Sequence, residues 1–232
     1  VVAAEVRSLA KKSATAAKDI KGLIDESPAA SSPAQTAAAL PTAPSALSYH
    51  TLLEEAEFEA WLQKLQQAEL FAFDTETDGL DYMQARLVGL SFAVAPGEAA
   101  YVPLAHDYEG APQQLNRDLV LAQIKPVLED TSVQKIGHHL KYDAHVLENH
   151  GIELRGWYFD TMLASYVLNS VATRHGMDDV ARLYLSHLTT TFEQLAGKGA
   201  KQKTFNQIEI AAAAHYAAED AHVTYRLYEV LD

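Results

Sequence analysis

The feature that most constrains this chain is an uncharged segment of low complexity at residues 27–47. Of its 21 residues, 18 are Ala, Pro, Ser or Thr, a composition that buries too little apolar surface to offset the entropy of ordering. We therefore predict a linker there, extended where the prolines lie. The polar, helix-prone residues 1–26 precede it, so residues 1–47 form an appendage and the folded domain is predicted at residues 48–232.

The order of the predicted elements in that domain favours an α/β fold. Apolar residues at i, i+3, i+4 and i+7 predict one helix face, made of Phe58, Trp61, Leu62 and Leu65. Short apolar runs predict strands at residues 70–74, 86–94, 99–103 and 134–137. Further helices are predicted at residues 119–128, 140–150, 161–168, 177–185 and 208–231. Because strands come first and helices dominate later, we expect a mixed β-sheet covered by helices.

Cysteine usage and hydropathy exclude several classes of protein. The chain has no cysteine, which rules out disulfides, cysteine-bound zinc and thiol catalysis. It has neither a secretory signal at its start nor the run of roughly 18 apolar residues that a membrane span requires. A cytoplasmic location without membrane contact is therefore expected, and a start at Val1 suggests a piece of a longer protein.

The net charge of −13 argues against nucleic-acid binding, for which a basic surface is expected. An acidic chain can still bind phosphate where its carboxylates hold divalent cations, because bound cations invert the local field. Such a domain would depend on those ions, on a few local Lys and Arg residues, or on a basic neighbouring domain.

Two carboxylates follow the first apolar strand, within Phe73-Asp74-Thr75-Glu76-Thr77. Side chains alternate along a strand, so Asp74 and Glu76 are predicted on one face, about 7 Å apart. Such a pair is costly unless cations lie between its members. A solvated strand end with surface acids is the alternative interpretation.

Two later segments carry further acids. Asp143 lies in the first turn of a predicted helix, where the helix dipole alone would favour it. Tyr216 and Asp220 stand at i and i+4 of the last helix and share a face, although a surface tyrosine near an acid is common. We interpret Glu219 and Glu229 as solvated charges rather than ligands.

Together these segments resemble the DEDD exonuclease superfamily, specifically the proofreading 3′–5′ exonuclease domain of bacterial DNA polymerase I, in its tyrosine branch. The resemblance covers roughly residues 49–232 and includes FAFDTETDGLD, FDTMLASYVLNSVATRH, TFEQLAGKG and YAAEDAHVT. It implies a ribonuclease H-like fold that hydrolyses DNA phosphodiesters from single-stranded or frayed 3′ ends. It also implies a covalently linked polymerase domain in the full protein.

The resemblance further implies roles for eleven residues. The carboxylates that would hold two divalent ions, Mg²⁺ or Mn²⁺, are Asp74, Glu76, Asp143 and Asp220. Tyr216 would orient the attacking water. The residues that would contact substrate are Thr77, Leu80, His139, Tyr142, Arg174 and Phe192. Of these, Leu80 and Phe192 would pack against the terminal base, with ordinary core packing as the alternative, and Arg174 could instead form a surface ion pair.

Departures from the family pattern leave alternatives open. His139 stands where Asn is usual, beside His138, and His222 stands where an acid is expected, so activity could respond to pH near neutrality. His215 competes with Tyr216 for orienting water, but on a regular helix it is rotated about 140° from Asp220, against about 40° for Tyr216. A catalytically silent structural domain and an RNA-trimming exonuclease are the rival functions.

Overall fold

The computed structural model describes residues 47–232, so the predicted appendage and linker lie outside the described residues, except for Leu47. Six strands are present in this part: β1 (Ser48–Thr51), β2 (Leu70–Thr77), β3 (Leu87–Ala95), β4 (Glu98–Pro103), β5 (Gln134–Gly137) and β6 (Trp157–Asp160). The α-helices described are α1 (Glu55–Gln67), α2 (Arg117–Glu129), α3 (Leu140–Glu148), α4 (Thr161–Leu168), α5 (Met177–Leu185), α6 (Phe192–Ala196) and α7 (Ile210–Leu231).

The six strands form one mixed sheet in the order β1-β4-β3-β2-β5-β6. Strand β2 lies in its interior, antiparallel to β3 and parallel to β5, while β1 pairs parallel with β4 and β6 parallel with β5. The pairing of β2 with β3 is regular up to Glu76 and shifts register between Glu76 and Thr77. The predicted mixed α/β fold is therefore confirmed.

Alternation along β2 separates two layers of helices. Phe71 and Phe73 point into the main apolar core, to which α1, α2 and α3 contribute. Ala72 points the other way and packs with Ala218 and Ala221 of α7. Small side chains at this contact let the helix approach the sheet closely. Asp74 and Glu76, which share a face of β2 with Ala72, therefore point towards α7.

The structure corrects several predicted boundaries. The strand predicted at residues 70–74 continues to Thr77, so its two carboxylates lie within the strand. The last helix begins at Ile210, because Phe205–Gln207 form a separate 3₁₀ turn. The short elements β1, β6 and α6 were not predicted. Among the described helices, none combines the length and the apolar character needed to cross a bilayer.

Candidate active site

Three carboxylates converge where β2 faces α7. Oxygen atoms of Asp74, Glu76 and Asp220 all lie within 4.8 Å of one another. Glu76 and Asp220 are buried, and Glu76 Oε1 has no hydrogen-bond partner among the described residues. The strand alternation places Asp74 and Glu76 on one face, as predicted, and the close approach of α7 brings Asp220 to them.

The electrostatics of this group favour a positive ligand. Burial raises the pKa of Asp74 to about 7. Burial, followed by the charges of Asp74 and Asp220, raises the pKa of Glu76 well above its usual range. Within residues 47–232, none of the three forms an ion pair with a basic side chain. Clustered acids without a counter-charge fit a site for divalent cations, which bind carboxylate oxygens.

Asp143 approaches from the opposite face of β2. It lies in the first turn of α3, is buried, and its Oδ1 accepts hydrogen bonds from Thr75 N at 3.0 Å and Thr75 Oγ1 at 2.6 Å. Burial and then the charge of Asp74 raise its pKa well above the usual range. Asp143 is thus outside the group of three but lies next to Asp74. Asp74 therefore stands between two halves of the site, one formed by Glu76 and Asp220 and the other by Asp143.

The start of α3 is fixed by Asp160 at the end of β6, a residue that no sequence motif singled out. Its carboxylate accepts hydrogen bonds from Leu140 N at 2.9 Å and His139 N at 3.2 Å. His139 adopts a left-handed conformation there, with φ of 75°. A Cβ at Gly137 would collide with the Leu140 side chain, so this sharp turn also needs a glycine before it. These contacts orient the turn that carries Asp143.

Tyr216 faces the carboxylates and His215 does not. Tyr216 and Asp220 share a face of α7, and burial, followed by the charges of Asp220, Glu76 and Asp74, raises the tyrosine pKa. Helix α7 runs without a break through both residues. His215 is exposed, with its ring 5.5 Å from that of Tyr49. The regular helix predicted through Tyr216 and Asp220 is present.

A cavity of about 500 Å³ opens beside the carboxylates. Six of the predicted site residues line it, namely Glu76, Thr77, Leu80, Tyr142, Phe192 and Tyr216. Leu80 is 94% exposed, which excludes ordinary core packing for that residue, and Phe192 is 36% exposed with its ring 6.4 Å from that of Tyr216. Two apolar side chains are thus presented to solvent at the mouth of an acidic site.

Hydroxyl groups pin the loop that carries Leu80. The Thr77 and Tyr142 hydroxyls lie 2.6 Å apart, and both reach the carbonyl oxygen of Gly79, at 2.8 and 2.7 Å respectively. The His139 ring is exposed and lies 6.1 Å from the Tyr142 ring. This part of the cavity is therefore held by contacts between β2 and α3.

Arg174 and His222 are not among the described residues that line the cavity. Arg174 is exposed in a separate cleft with Asp179 and Arg182. His222 is buried, with Nδ1 2.7 Å from the Tyr49 hydroxyl. Burial lowers the pKa of His222 and of His138 to about 4. Neither of these two histidines is therefore expected to change charge near neutrality, and a response of activity to pH in that range stays a prediction.

Glu219 is another correction, because it is buried rather than solvated. Its carboxylate accepts hydrogen bonds from His187 Nε2 at 2.9 Å and Thr190 N at 2.8 Å. Burial alone would raise its pKa, but these bonds, led by the Thr190 backbone, lower it overall. Glu219 thus fastens the loop before α6 to α7 and supports the position of Phe192.

Comparison with known proteins agrees with this geometry. A family model described as a 3′–5′ exonuclease matches residues 49–232. DNA polymerase I of Pseudomonas aeruginosa is 59% identical over 187 residues, which make up 80% of this chain and 20% of that protein. The chain therefore spans about a fifth of that relative's length.

Solved structures show the same fold at low identity. RNase D of Trypanosoma brucei has a TM-score of 0.63 at 17% identity, over 79% of this chain and 64% of that one. NrnC of Brucella melitensis with bound Mg²⁺ has a TM-score of 0.53 at 23% identity, over 80% of each chain. The predicted ribonuclease H-like exonuclease fold is confirmed. The chain belongs to the 3′–5′ exonuclease family, as an exonuclease domain of the bacterial DNA polymerase I type.

Proposed function

We propose that this domain removes nucleotides from the 3′ end of DNA by a two-metal-ion reaction and proofreads for a polymerase domain. The observation that carries the proposal is the group of Asp74, Glu76 and Asp220 within 4.8 Å, with Asp143 bordering it at Asp74. A nuclease of this family needs only positioned cations, a positioned water and a held strand end, and the site offers residues for each.

The donor set suits hard divalent cations. Asp74, Glu76 and Asp220 would hold one ion, and Asp74 with Asp143 the second, since Asp74 borders both halves. Two such ions, Mg²⁺ or Mn²⁺, would supply activation of the attacking water and stabilisation of the departing 3′ oxygen. The unpartnered Glu76 Oε1 is the feature that best fits a cation ligand.

The other residues position substrate and water. The Tyr216 hydroxyl, on the same face of α7 as Asp220, would hold the water in line with the scissile phosphate. Leu80 and Phe192 would pack against the terminal base, a contact that tolerates any sequence, as proofreading requires. Thr77 and Tyr142 would keep the Leu80 loop in place. His139 and Arg174 are proposed to contact more distant parts of the strand.

Two rival functions are less well supported. A silent structural domain has no use for four neighbouring acids, three of them buried, without basic partners among the described residues, an arrangement that costs stability. An RNA-trimming enzyme would share the metal site, and RNase D of Trypanosoma brucei has the same fold. At 17% sequence identity, however, that similarity shows only the fold. Identity of 59% to a DNA polymerase I favours DNA. We also propose a covalently linked polymerase domain; a cytoplasmic location stays a prediction.

The test is hydrolysis of a 5′-labelled single-stranded DNA, its duplex and its RNA counterpart. We expect no cleavage in chelator, recovery with Mg²⁺ or Mn²⁺, faster cutting of the single strand, and release of nucleoside 5′-monophosphates. Asp74→Ala should reduce the rate by several orders of magnitude. Asp118→Ala is the matched control, because Asp118 is an exposed acid on α2.

Three results would contradict the proposal. Full activity in Asp74→Ala would remove the metal-site assignment. Internal cleavage of a circular single strand would exclude an exonuclease. Faster degradation of the RNA than of the DNA would move the domain to the RNA-trimming enzymes.

A further inference from the structure

The cavity beside the carboxylates has a basic residue in its wall. Among the described residues that line the cavity, Lys203 alone is basic. It belongs to the loop of residues 197–204, between α6 and the 3₁₀ turn Phe205–Gln207. We propose that Lys203 is a substrate-binding residue that holds the backbone phosphate preceding the scissile one in the single strand. This inference rests on the proposed function, since it presupposes a nucleic-acid strand in the cavity.

The backbone of this loop is held in place. Gly197 and Gly199 have positive φ of 84° and 66°, conformations that favour glycine, and they fold the segment back on itself. Lys203 N then donates to the carbonyl of Ala196 at 3.0 Å. Phe205, two residues on, is buried with its ring 6.0 Å from that of Tyr216. The Lys203 side chain thus leaves a backbone that is anchored to the active site on both sides.

Ion pairing distinguishes Lys203 from its neighbour Lys198. Lys198 pairs with Glu193 at 2.5 Å, so its charge is already compensated. Within residues 47–232, Lys203 has no carboxylate within ion-pair distance, and its side chain is exposed. In a chain of net charge −13, an uncompensated ammonium at the mouth of the acidic cavity is where an incoming phosphate meets least repulsion.

The position relative to the other cavity residues indicates which phosphate it meets. The scissile phosphate must reach the carboxylates, and the terminal base would lie by Leu80 and Phe192. Lys203 lines the same cavity but is not part of the carboxylate group. A lysine is a point charge on a flexible stem, which suits a backbone phosphate of any sequence. The phosphate preceding the scissile one is therefore the group we assign to it.

The experiment measures the salt dependence of binding to a 5′-fluorescent oligodeoxythymidylate, in chelator so that the strand stays intact. Each phosphate contact on a single strand contributes about 0.7 to the slope of log affinity against log salt. Lys203→Gln should lower the size of that slope by about 0.7. The loss of affinity of this variant relative to the wild type should therefore shrink about 2.6-fold between roughly 50 and 200 mM salt. Lys203→Arg should keep the slope, and Lys198→Gln should change it less than Lys203→Gln.

An unchanged slope in Lys203→Gln, with wild-type binding intact, would overturn the inference and leave the proposed function standing. Equal losses of affinity in Lys203→Gln and Lys203→Arg would show that the positive charge of this residue does not determine binding, and would also overturn the inference. Equal losses of affinity in Lys203→Gln and Lys198→Gln would indicate a general effect of surface charge and would likewise overturn the inference. A wild-type chain that neither binds nor cuts the strand would overturn the proposed function and this inference together.

Discussion

The carboxylates that make the site useful should destabilise the metal-free chain, so removing one of them should stabilise it. Asp74 is the residue to change, because it borders both Glu76 and Asp143. In Asp74→Asn the side chain keeps its shape but carries no charge. In chelator at about pH 8, we expect this variant to melt at a higher temperature than the wild-type chain while losing nuclease activity.

The magnitude follows from the pKa of Asp74, which rises from 3.8 to about 7 on folding. Each pKa unit corresponds to about 1.36 kcal/mol, so ionised Asp74 costs the metal-free fold at most about 4 kcal/mol. Because the side chain keeps partial contact with solvent, we expect roughly half of that, about 2 kcal/mol. For a domain of this size, that free energy corresponds to a rise of about 4–8 °C in Tm.

The sign of the pH dependence is fixed by the direction of the shift. A folded-state pKa above the unfolded one means that the folded chain binds the extra proton between pH 3.8 and about 7. The stability of the metal-free wild type therefore falls as pH rises through that window. By about pH 5, the advantage of Asp74→Asn should have shrunk to less than half of its value at pH 8.

Thermal melts of both chains, monitored by circular dichroism in chelator and in excess Mg²⁺ or Mn²⁺, measure these differences. Metal should stabilise the wild type more than Asp74→Asn, since only the wild type keeps the full ligand set. Glu59→Gln, at an exposed acid of α1 beyond its first turn, should melt as the wild type does. An equal or lower Tm for Asp74→Asn at pH 8 in chelator, or a gap independent of pH, would refute the reasoning.

Three further results are expected. Tyr216→Phe should lower the initial rate of hydrolysis about 100-fold at saturating metal, because it removes the hydroxyl that orients water. His215→Ala should change that rate little. The reverse outcome would assign the role to His215. Glu219→Gln should raise KM for single-stranded DNA more than it lowers kcat, because it loosens the loop before Phe192; a purely kcat effect would contradict that role. Deleting residues 1–47 should leave Tm and nuclease rate nearly unchanged, and a loss of many degrees would show that this segment docks on the domain.

Most strands of the sheet, and the face of α7 that contributes to the site, could be predicted from the local pattern of apolar and polar residues. The apolar run that opens β2 and the 3.6-residue period of α7 were sufficient to place Asp74 with Glu76 and Tyr216 with Asp220. Periodicity succeeds here because each pair lies within one regular element. The strands β1 and β6 escaped prediction because each has four residues without a fully buried position, so local sequence gives little signal.

Contacts between distant segments could not be predicted by pattern alone. The hydrogen bonds from Thr75 to Asp143 join residues 68 apart in sequence, and they place that acid across β2 from the group of three. Glu219 gave the wrong expectation for a related reason. Its solvation depends on whether the loop from His187 to Thr190 returns to α7, which no feature of the helix itself reveals.

The charge of the chain and its proposed activity can be reconciled by where the charges lie. The acids of the site lie close together, three of them buried and without basic partners among the described residues, so the metal-free site would repel a phosphate and would also cost stability. Divalent ions would relieve both effects at once, which couples strand binding, catalysis and folding to the same ligands. Among the described residues that line the cavity, only Lys203 carries a positive charge, and it is the residue proposed to attract the strand in the metal-free state. A net charge of −13 is therefore compatible with a nuclease whose affinity for DNA depends on its metal ions.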